Sequence, residues 1–433
     1  MSPELIGLIG IGILLVLFAL RMLVGVSMLM VGFLGYCYLA SPKAGLTKLG
    51  IDPFVTASNY SLSVVPLFIL MGMILSYGGL GRDLYRAVDT WLGHLRGGMA
   101  MATIGACAGF AAVSGSTTAT AATMATVALP EMKRYGYKDS LATACVAAGG
   151  TLGILIPPSI ILILYGIITL EPIGKLLIAG ILPGILQTIL FMGTVYIQVR
   201  RNPDIAPLRA EAAFSEKLTS LKKVWPVLAI FILAVGGIYL GVFTPTEAGA
   251  VGAFGAFIFS MAAGHLNKDS LVGALDQAAR TTAMIFLIVI GATVFGQFLA
   301  VTKIPFELSA FVAGLGISRY LIMAIILFLF IALGCFMEGI AILVLTMPII
   351  HPLIIDLGFN GVWFGVIIII MLNIGLVTPP VGLNVYITAG VAKDVPLQTI
   401  FRGVIPLWLA MIVCAALLVA FPQIATFLPN LMG

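Results

Sequence analysis

Two helix-breaking motifs lie inside apolar sequence and constrain how this chain folds. The segment Gly153–Ser159 (GILIPPS) is matched 222 positions later by Gly375–Val381 (GLVTPPV), and the same offset aligns Gly136 with Gly358. A Pro-Pro pair removes two backbone donors and pushes the preceding residue out of the helical region. In hydrocarbon, such a break is tolerated only where it faces protein or a watery cavity. Two breaks at matching positions therefore indicate the binding site of a transporter built from two repeats.

The composition excludes a soluble domain. Hydrophobic residues make up 61% of the chain and charged residues 9%, against roughly 25% charged residues in soluble domains. At about 20 apolar residues per span, the chain accommodates many membrane crossings. We therefore predict an all-α polytopic membrane protein. The residues before the first apolar run include Glu4 and no basic residue. We therefore expect no cleaved signal peptide.

Enzyme and cofactor chemistry have little support in the sequence. The five cysteines show no CxxC spacing, the three histidines are isolated from one another, and no Walker A sequence is present. GxSxG, HExxH and clustered carboxylates are also missing from the sequence. We therefore expect no enzymatic activity and no resident cofactor. The net charge of +5 is attributed to membrane topology, and no nucleic acid partner is expected.

Apolar runs predict the spanning helices. They lie near residues 4–20, 22–40, 60–80, 139–168, 176–199, 224–243, 247–265, 279–300, 361–390 and 404–428. A polar connection is expected from Pro42 to Ser58. Between Gly81 and Gly97, charged and apolar residues interleave in a pattern typical of an amphipathic helix at the membrane surface.

Two further segments have lengths that do not suit a single span. From Gly97 to Pro130 there are 34 residues without a charge, which as one helix would extend about 51 Å against a hydrocarbon core of roughly 30 Å. A polar break, Ser114–Thr118, lies near the middle, so a re-entrant helical hairpin fits better. The second half repeats this design between Leu321 and Ile355, with its break at Gly334–Gly339.

Basic residues predict how the two halves are oriented. The linker Gln198–Lys223 holds six of the 22 basic residues, which places it in the cytoplasm. Lys133, Arg134 and Lys138 follow the first hairpin, whereas the matching stretch Ile349–Gly361 has no Lys or Arg. The first hairpin is therefore expected to open to the cytoplasm and the second to the opposite side. Such an inverted repeat is the arrangement expected for alternating access.

We divide the chain into five parts on these grounds. They are the first-half scaffold and arm helices (1–96), the first hairpin, broken helix and following span (97–199), the basic cytoplasmic linker (200–223), the second-half scaffold and arm helices (224–319), and the second hairpin, broken helix and C-terminal span (320–433).

Oxygen atoms at the breaks suggest what the site binds. Hydroxyls of Ser114–Thr118 offer neutral ligands to a hard cation and donors to a carboxylate, whereas Thr123 and Thr126 on the second arm are assigned to helix packing. Unwinding frees carbonyls around Gly153–Pro158 and Gly375–Val381 that can coordinate a small cation. Helix N-termini at the tips and beyond the prolines offer positive dipole ends to an anion.

Several single residues keep more than one interpretation. Glu338, beside the second tip, can bind a cation, relay a proton or lie at the aqueous mouth of the hairpin. Asn373 and Asn384 flank the second break, and a backbone-satisfying amide is favoured over a direct ligand for each. Tyr165 and Tyr386 fit either interface anchors or cavity walls.

Four motifs together resemble a known family. They are SGSTTATAA (Ser114–Ala122), GTLGILIPPS (Gly150–Ser159), FTPTEAGA (Phe243–Ala250) and TPPVGLNVY (Thr378–Tyr386). In this order and spacing, they look like the large membrane subunit of tripartite ATP-independent periplasmic (TRAP) transporters, and the resemblance covers essentially the whole chain. The Pro-Pro motifs alone also suit other members of the wider ion-transporter superfamily.

The resemblance implies a function and partners. Such subunits work with a small four-helix membrane subunit and a periplasmic substrate-binding protein in the bacterial inner membrane. They import organic acids, often dicarboxylates or sialic acid, driven by a sodium gradient and by an elevator mechanism, in which hairpins and broken helices move against a scaffold. The small subunit is expected to be a separate polypeptide here, and membrane lipid surrounds the complex.

The resemblance also implies site residues, carried over motif by motif. Sodium ligands would be Ser114, Gly115, Ser116, Gly153, Ile156 and Pro158 at one site and Gly339, Gly375, Thr378 and Val381 at the other. Substrate-binding residues between the tips would be Thr117, Thr118, Thr120, Pro157, Glu338, Pro379 and Asn384. Some relatives carry an acidic residue where Thr120 stands, which weakens any inference about cargo. Glu247 would cap or pack a scaffold helix.

Two other classes of function are weighed beside the importer. One is a related single-component carboxylate carrier or exporter, proton-coupled through Glu338. The other is a membrane enzyme, which the missing catalytic motifs disfavour.

Overall fold

The computed structural model describes residues 2–264, 266–314 and 316–432, and within these ranges the chain is all-α with no strand. The first half contains α1 (Pro3–Ala19), α2 (Val24–Leu39), α3 (Pro42–Ala57), α4 (Val64–Tyr77), α5 (Leu80–Leu92), α6 (Gly98–Ser114), α7 (Thr117–Arg134), α8 (Asp139–Gly150), α9 (Ile160–Thr169), α10 (Ile173–Ala179) and α11 (Ile181–Arg201). The second half contains α12 (Phe214–Tyr239), α13 (Pro245–Ala262), α14 (Lys268–Thr302), α15 (Ile304–Gly314), α16 (Arg319–Gly334), α17 (Gly339–Asp356), α18 (Gly361–Gly375), α19 (Leu383–Val391), α20 (Leu397–Ala420) and α21 (Gln423–Leu431).

The two halves are repeats at the level of individual helices. The offset of 222 residues that aligns the Pro-Pro motifs also carries the bounds of α7 onto those of α17. It brings α6 onto α16, α8 onto α18 and α9 onto α19 to within three residues at either end. The predicted duplication is therefore confirmed by helix boundaries that the sequence motifs do not themselves contain.

Both predicted helical hairpins are present. In the first, α6 ends at Ser114 and Gly115 turns the chain with a φ of 61°, a conformation that glycine adopts without a Cβ clash. The Ser116 hydroxyl then accepts a hydrogen bond from the amide of Ala119 at 3.3 Å and caps α7. In the second hairpin, α16 ends at Gly334 and α17 begins at Gly339.

Both predicted broken helices are present as well. After α8 the chain passes through a 3-10 turn at Thr151–Ile154 and the Pro-Pro pair before α9 begins. The Ser159 hydroxyl caps α9 by accepting from the amide of Leu162 at 3.2 Å. The second break lies between α18 and α19, where Gly382 has a φ of 61°. The Pro157–Pro158 and Pro379–Pro380 peptide bonds are both cis.

The hairpins open to opposite sides, as predicted. The α8–α9 segment starts directly after the base of the first hairpin, and beyond α9 Glu171 lies 3.4 Å from His351 on α17 of the second hairpin. The α18–α19 segment starts after the base of the second hairpin, and beyond α19 Asp394 forms a salt bridge with Lys133 on α7. Each broken helix thus runs from its own hairpin's base to the base of the other, so the repeat is inverted.

Helices α1–α5 and α12–α15, here called the scaffold, follow the same two-fold pattern. Helix α2 packs along α14, and the repeat-related pair α13 and α4 packs in the same way. Small residues allow close approach: a Cβ on Gly32 would lie 2.7 Å from the Cα of Phe295. Six helical segments of the described chain are long and apolar enough to cross a membrane.

Three connecting segments refine the sequence interpretation. The predicted polar connection from Pro42 to Ser58 is itself a helix, α3, which the Ser41 hydroxyl caps by accepting from Ala44 at 3.1 Å. The predicted amphipathic helix is present as α5. Thr244 and Glu247 form a capping box at the start of α13, which confirms the capping role expected for Glu247.

Replacing Gly32 with leucine is expected to destabilise the scaffold by about 1–3 kcal/mol, because the new side chain would overlap α14. Gly12 on α1 is the matched control, since a Cβ there meets no atom within 4 Å. Thermal unfolding of the purified variants should show a lower midpoint for Gly32→Leu than for Gly12→Leu. Equal midpoints would contradict the close α2–α14 packing.

Candidate functional site

The two hairpin tips line one cavity of about 600 Å³ between the hairpins and the scaffold. The first tip contributes Ser114–Ala119 and the second contributes Glu338–Ile340. The cavity is also lined by Ile160 and Leu383, which are the first residues of α9 and α19. Four helices, α7, α9, α17 and α19, therefore direct their N-termini toward the same space.

Hydroxyl groups hold the first tip together. Thr120 is fully buried, and its hydroxyl donates to the carbonyl of Ser116 at 2.7 Å. Because a hydroxyl has one proton, the 2.9 Å contact between Ser114 Oγ and Thr120 Oγ1 must be donated by Ser114. The lone pairs of Ser114 Oγ accept no hydrogen bond from the described residues. Ser116 and Thr118 hydroxyls lie 3.0 Å apart on the exposed side of the tip.

The first break packs directly on the first tip through two glycines. A Cβ on Gly115 would lie 2.6 Å from the carbonyl oxygen of Pro158, and a Cβ on Gly153 would lie 2.8 Å from Thr120 Oγ1. Only glycine permits this approach. The Ile156 side chain instead packs against Gly184 of α11, which leaves only its backbone available near the break.

The second break packs on the second tip in the corresponding way. A Cβ on Gly334 would lie 3.0 Å from the Cα of Gly375. The amide of Val381 donates to the carbonyl of Cys335 at 3.3 Å. The Thr378 hydroxyl donates to Ile374 at 2.5 Å and accepts from the indole N–H of Trp408 at 2.9 Å. Its oxygen is therefore held in one orientation beside the break.

Not every predicted site residue lines the cavity. Ser114, Gly115, Ser116, Thr117, Thr118, Glu338 and Gly339 do, whereas the predicted substrate residues Thr120, Pro157, Pro379 and Asn384 do not. The predicted sodium ligands Gly153, Ile156, Pro158, Gly375, Thr378 and Val381 also do not line it. Pro157 is buried and Pro379 is exposed. The Asn384 amide donates to the carbonyl of Ala147 at 3.2 Å, which is the backbone-satisfying role favoured from the sequence.

Asn373 and Tyr165 differ in how their polar side-chain atoms are hydrogen-bonded. Asn373 is fully buried, and neither of its amide atoms has a hydrogen-bond partner in the described part of the chain. The backbone-satisfying role favoured from the sequence is therefore not found for Asn373. Since a buried amide is costly unless it is paired, its side chain is available to a polar ligand. Tyr165 donates to the carbonyl of Gly361 at 2.7 Å and packs edge-on against His351. It ties α9 to the second half and does not line the cavity.

One wall of the cavity is formed by scaffold residues that no sequence motif marks. Gln277, Arg280, Thr281 and Met284 of α14 line it, opposite the hairpin tips. Their spacing is that of one helix face. This polar face within an apolar span is the signal that could have identified them.

The cavity continues toward the basic linker. It shares Ser76 and Thr123 with a neighbouring cavity of about 590 Å³. That cavity shares Arg82, Arg86 and Lys223 with a cleft of about 840 Å³ beside the linker. The shared lining also includes the carboxylate of Asp83, so the route on the linker side is bordered by three cations and one anion.

The linker is fastened to the base of the first hairpin. The Arg209 guanidinium forms a 2.6 Å salt bridge with Asp89 of α5 and lies 4.5 Å from the ring centre of Tyr135. The amide of Lys138 donates to the carbonyl of Ile205 at 3.0 Å. Burial raises the pKa of Asp89, against the opposing effect of the Arg209 charge. The first hairpin therefore opens on the side of the linker.

An inverted pair of hairpins and broken helices around one cavity defines a membrane transporter. Residues 11–424 match the model of the DctM component of tripartite ATP-independent periplasmic transporters. The chain belongs to this family and is a permease of the bacterial inner membrane.

Similar proteins cover most of the chain. The C4-dicarboxylate TRAP transporter large permease of Pseudomonas aeruginosa is 35% identical over 91% of this chain and 92% of its own. The isethionate TRAP transporter permease of Oleidesulfovibrio alaskensis is 35% identical, covering 95% of this chain and 64% of that one. The crystal structure of the Alcanivorax borkumensis YdaH transporter shares the fold with a TM-score of 0.63 at 14% identity, over 88% and 90% of the two chains.

Replacing Thr120 with valine should loosen the first tip. The change keeps the shape of the side chain but leaves Ser114 and the Ser116 carbonyl without their buried partner, at a cost of about 1–3 kcal/mol. Hydrogen exchange of the Ser114–Thr118 amides should become faster than in the wild-type protein.

Thr126→Val is the control for this change. The Thr126 hydroxyl donates to Thr123 within the same helix on an exposed face, so its loss should leave the tip unaffected. Indistinguishable exchange at the tip in the two variants would mean that Thr120 does not stabilise it.

Proposed function

We propose that this chain carries out sodium-coupled secondary import of an organic acid that a periplasmic binding protein delivers. The observation that carries the proposal is the convergence of four helix N-termini, from α7, α9, α17 and α19, on one cavity. The partial positive charge and the free amides at helix N-termini favour the binding of an anion. This attraction requires no buried cationic side chain on the hairpins. The cargo is translocated without chemical change.

Neutral oxygens at the two tip-and-break contacts support sodium as the coupling ion. Around the first contact, the proposed ligands are the Ser114–Ser116 tip and the backbone of Gly153, Ile156 and Pro158. Around the second, they are the Gly339 tip with Gly375, Thr378 and Val381. Unwound carbonyls and hydroxyls at broken helices are the ligands that transporters use for this ion. Each contact is dense in such oxygens because glycines allow the backbones to approach.

The substrate is proposed to bind between the tips as an anion. Thr117, Thr118 and Glu338 border this space, while the buried Thr120, Pro157 and Asn384 would support it from behind the cavity wall. The exposed Pro379 would act by fixing the shape of the second break. The named cargoes of two relatives are a C4-dicarboxylate and isethionate, which share a negative charge. We therefore propose a small organic acid as the cargo class.

Alternating access is proposed to follow an elevator mechanism. Helix α9 packs on α17, and the repeat-related α19 packs on α7, so hairpins and broken helices from both halves interlock. This body would be formed by residues 97–199 and 320–433 and would move against the scaffold in 1–96 and 224–319. The described conformation opens toward the linker 200–223, which is the cytoplasmic side.

Two protein partners complete the proposal. One is the periplasmic substrate-binding protein and the other is a small four-helix membrane subunit. The isethionate relative is longer than this chain, which spans 64% of it, and its extra length is consistent with a fused small subunit. In this system, the small subunit would be a separate polypeptide embedded in the same lipid bilayer.

A proton-coupled carrier working alone is the alternative. Glu338 is the one carboxylate among the described residues that line the cavity, and an intramembrane carboxylate can relay a proton. Uptake that needs no binding protein and follows a proton gradient would favour this mechanism.

Reconstituted proteoliposomes test the proposal. Uptake of radiolabelled succinate or isethionate should require an inward sodium gradient, the small subunit and the binding protein. Uptake that persists without the binding protein would contradict the importer, and uptake driven equally by a proton gradient would contradict sodium coupling.

Bulky apolar substitutions test the ligand assignment. Ser114→Leu and Thr378→Leu should each lower sodium-dependent uptake at least about tenfold, because a lost charge-assisted ligand costs 1.5–3 kcal/mol or more. Because both hydroxyls also form tertiary hydrogen bonds, uptake is normalised to the folded, membrane-inserted amount of each variant. Thr47→Leu, on the exposed face of α3 and outside the cavities between the tips and the linker, is the control. Unchanged sodium dependence in both site variants would refute the assignment.

A further inference from the structure

Arg280 is a cationic side chain in the cavity that the repeat symmetry does not explain. It lies on α14 and is the one cation among the described residues that line the cavity between the tips. The 222-residue offset relates it to Ser58, at the end of α3, which does not line the cavity. The charge of Arg280 therefore has no counterpart at the matching position of the other repeat.

Arg280 lies at the edge of the apolar part of α14. Residues 281–302 carry no charge and extend about 33 Å at 1.5 Å per residue, which covers the roughly 30 Å hydrocarbon core. Arg280 directly precedes this stretch, so its guanidinium can face the cavity and remain in contact with water. The Arg280 side chain is 74% exposed, and the space it faces is the substrate cavity.

The hydrogen bonding of Arg280 leaves one edge of its guanidinium available. Nε donates to Asp276 Oδ2 at 2.7 Å, one turn earlier on α14. Within the described chain, this is the guanidinium's single protein hydrogen bond. The edge formed by the two terminal nitrogens matches a carboxylate or sulfonate group, which it can bind through two parallel hydrogen bonds. Asp276 therefore orients the guanidinium and leaves its two terminal nitrogens, the fork, available to a ligand.

We propose that Arg280 is a scaffold-borne receptor for the acidic group of the cargo, with Asp276 as its positioning residue. This inference rests on the proposed function, since the hairpin N-termini would hold the anion from the other side. The receptor serves the conformation that opens toward the linker, because α14 belongs to the scaffold. Beyond it, Arg82 and Arg86 border the route to the linker side.

A charge-selective labelling experiment tests the receptor without requiring transport. A cysteine is placed at Thr281, the neighbour of Arg280 on the cavity wall, in a background with Cys37 and Cys335 changed to alanine. The rates of modification by anionic sulfonatoethyl and cationic trimethylammonioethyl methanethiosulfonates are then compared. Arg280→Gln should lower the anion-to-cation rate ratio at least about threefold, because a nearby full charge is removed.

Lys268→Gln on the same helix is the matched control, since it removes the same charge outside the cavity. It should leave the ratio unchanged. A ratio that is equal in the Arg280→Gln and wild-type backgrounds would overturn the proposal.

Uptake measurements test the fork geometry. With succinate or isethionate as probe, Arg280→Gln should raise the half-saturating concentration roughly ten- to hundredfold, the loss expected for a charge-assisted pair. Arg280→Lys should resemble Arg280→Gln, because an ammonium cannot form two parallel bonds. Full rescue by lysine would overturn the fork assignment. A wild-type protein that transports no organic acid would instead refute the proposed function, and the labelling ratio would still report on Arg280.

Discussion

The structure depends on satisfying the backbone where two helices break inside the membrane. Each break frees polar groups that hydrocarbon cannot pair, and each is met by the tip of its own hairpin. Glycine makes this contact possible, because Gly115 approaches Pro158 and Gly334 approaches Gly375 at distances that no side chain would allow. The same contacts concentrate carbonyl and hydroxyl oxygens. The contacts that stabilise the broken helices therefore also supply the oxygens that we propose as sodium ligands.

The inverted repeat turns two such contacts into one site. Since each broken helix begins at its own hairpin's base and ends at that of the other, the halves cannot separate without breaking both. The interlocked pairs α9–α17 and α19–α7 hold the four helix N-termini around one cavity. The two-fold arrangement of helix N-termini can bind an anion that enters the cavity from either side of the membrane. The asymmetric features of the cavity, such as Arg280, come from the scaffold.

Local chemistry explains why much of this arrangement was predictable from the sequence. Pro-Pro pairs, the Ser114–Thr118 run and the uncharged length after Gly97 each have few structural interpretations in a membrane. The basic linker contacts the base of the first hairpin, while the cytoplasmic location of both stays a prediction. The family resemblance added predictions about the partner proteins and the coupling ion.

Other features depend on contacts between segments that are distant in the chain. The α14 face with Arg280 lacked a motif, and its role became visible only when α14 lay opposite the tips. The helical form of α3 was missed because Pro53 and polar residues weaken its pattern. The cavity-lining set was only partly anticipated, since the burial of Thr120 and Asn384 behind the wall depends on tertiary packing.

Spin-label distance measurements test the central claim, that both tips form one body moving against the scaffold. Labels at Thr118 and Ile340 report the tip-to-tip distance, and labels at Thr118 and Thr281 report the distance from tip to scaffold. The account predicts that sodium and substrate shift the tip-to-scaffold distribution while the tip-to-tip distribution keeps its mean. A change in the tip-to-tip distance with a constant tip-to-scaffold distance would contradict it.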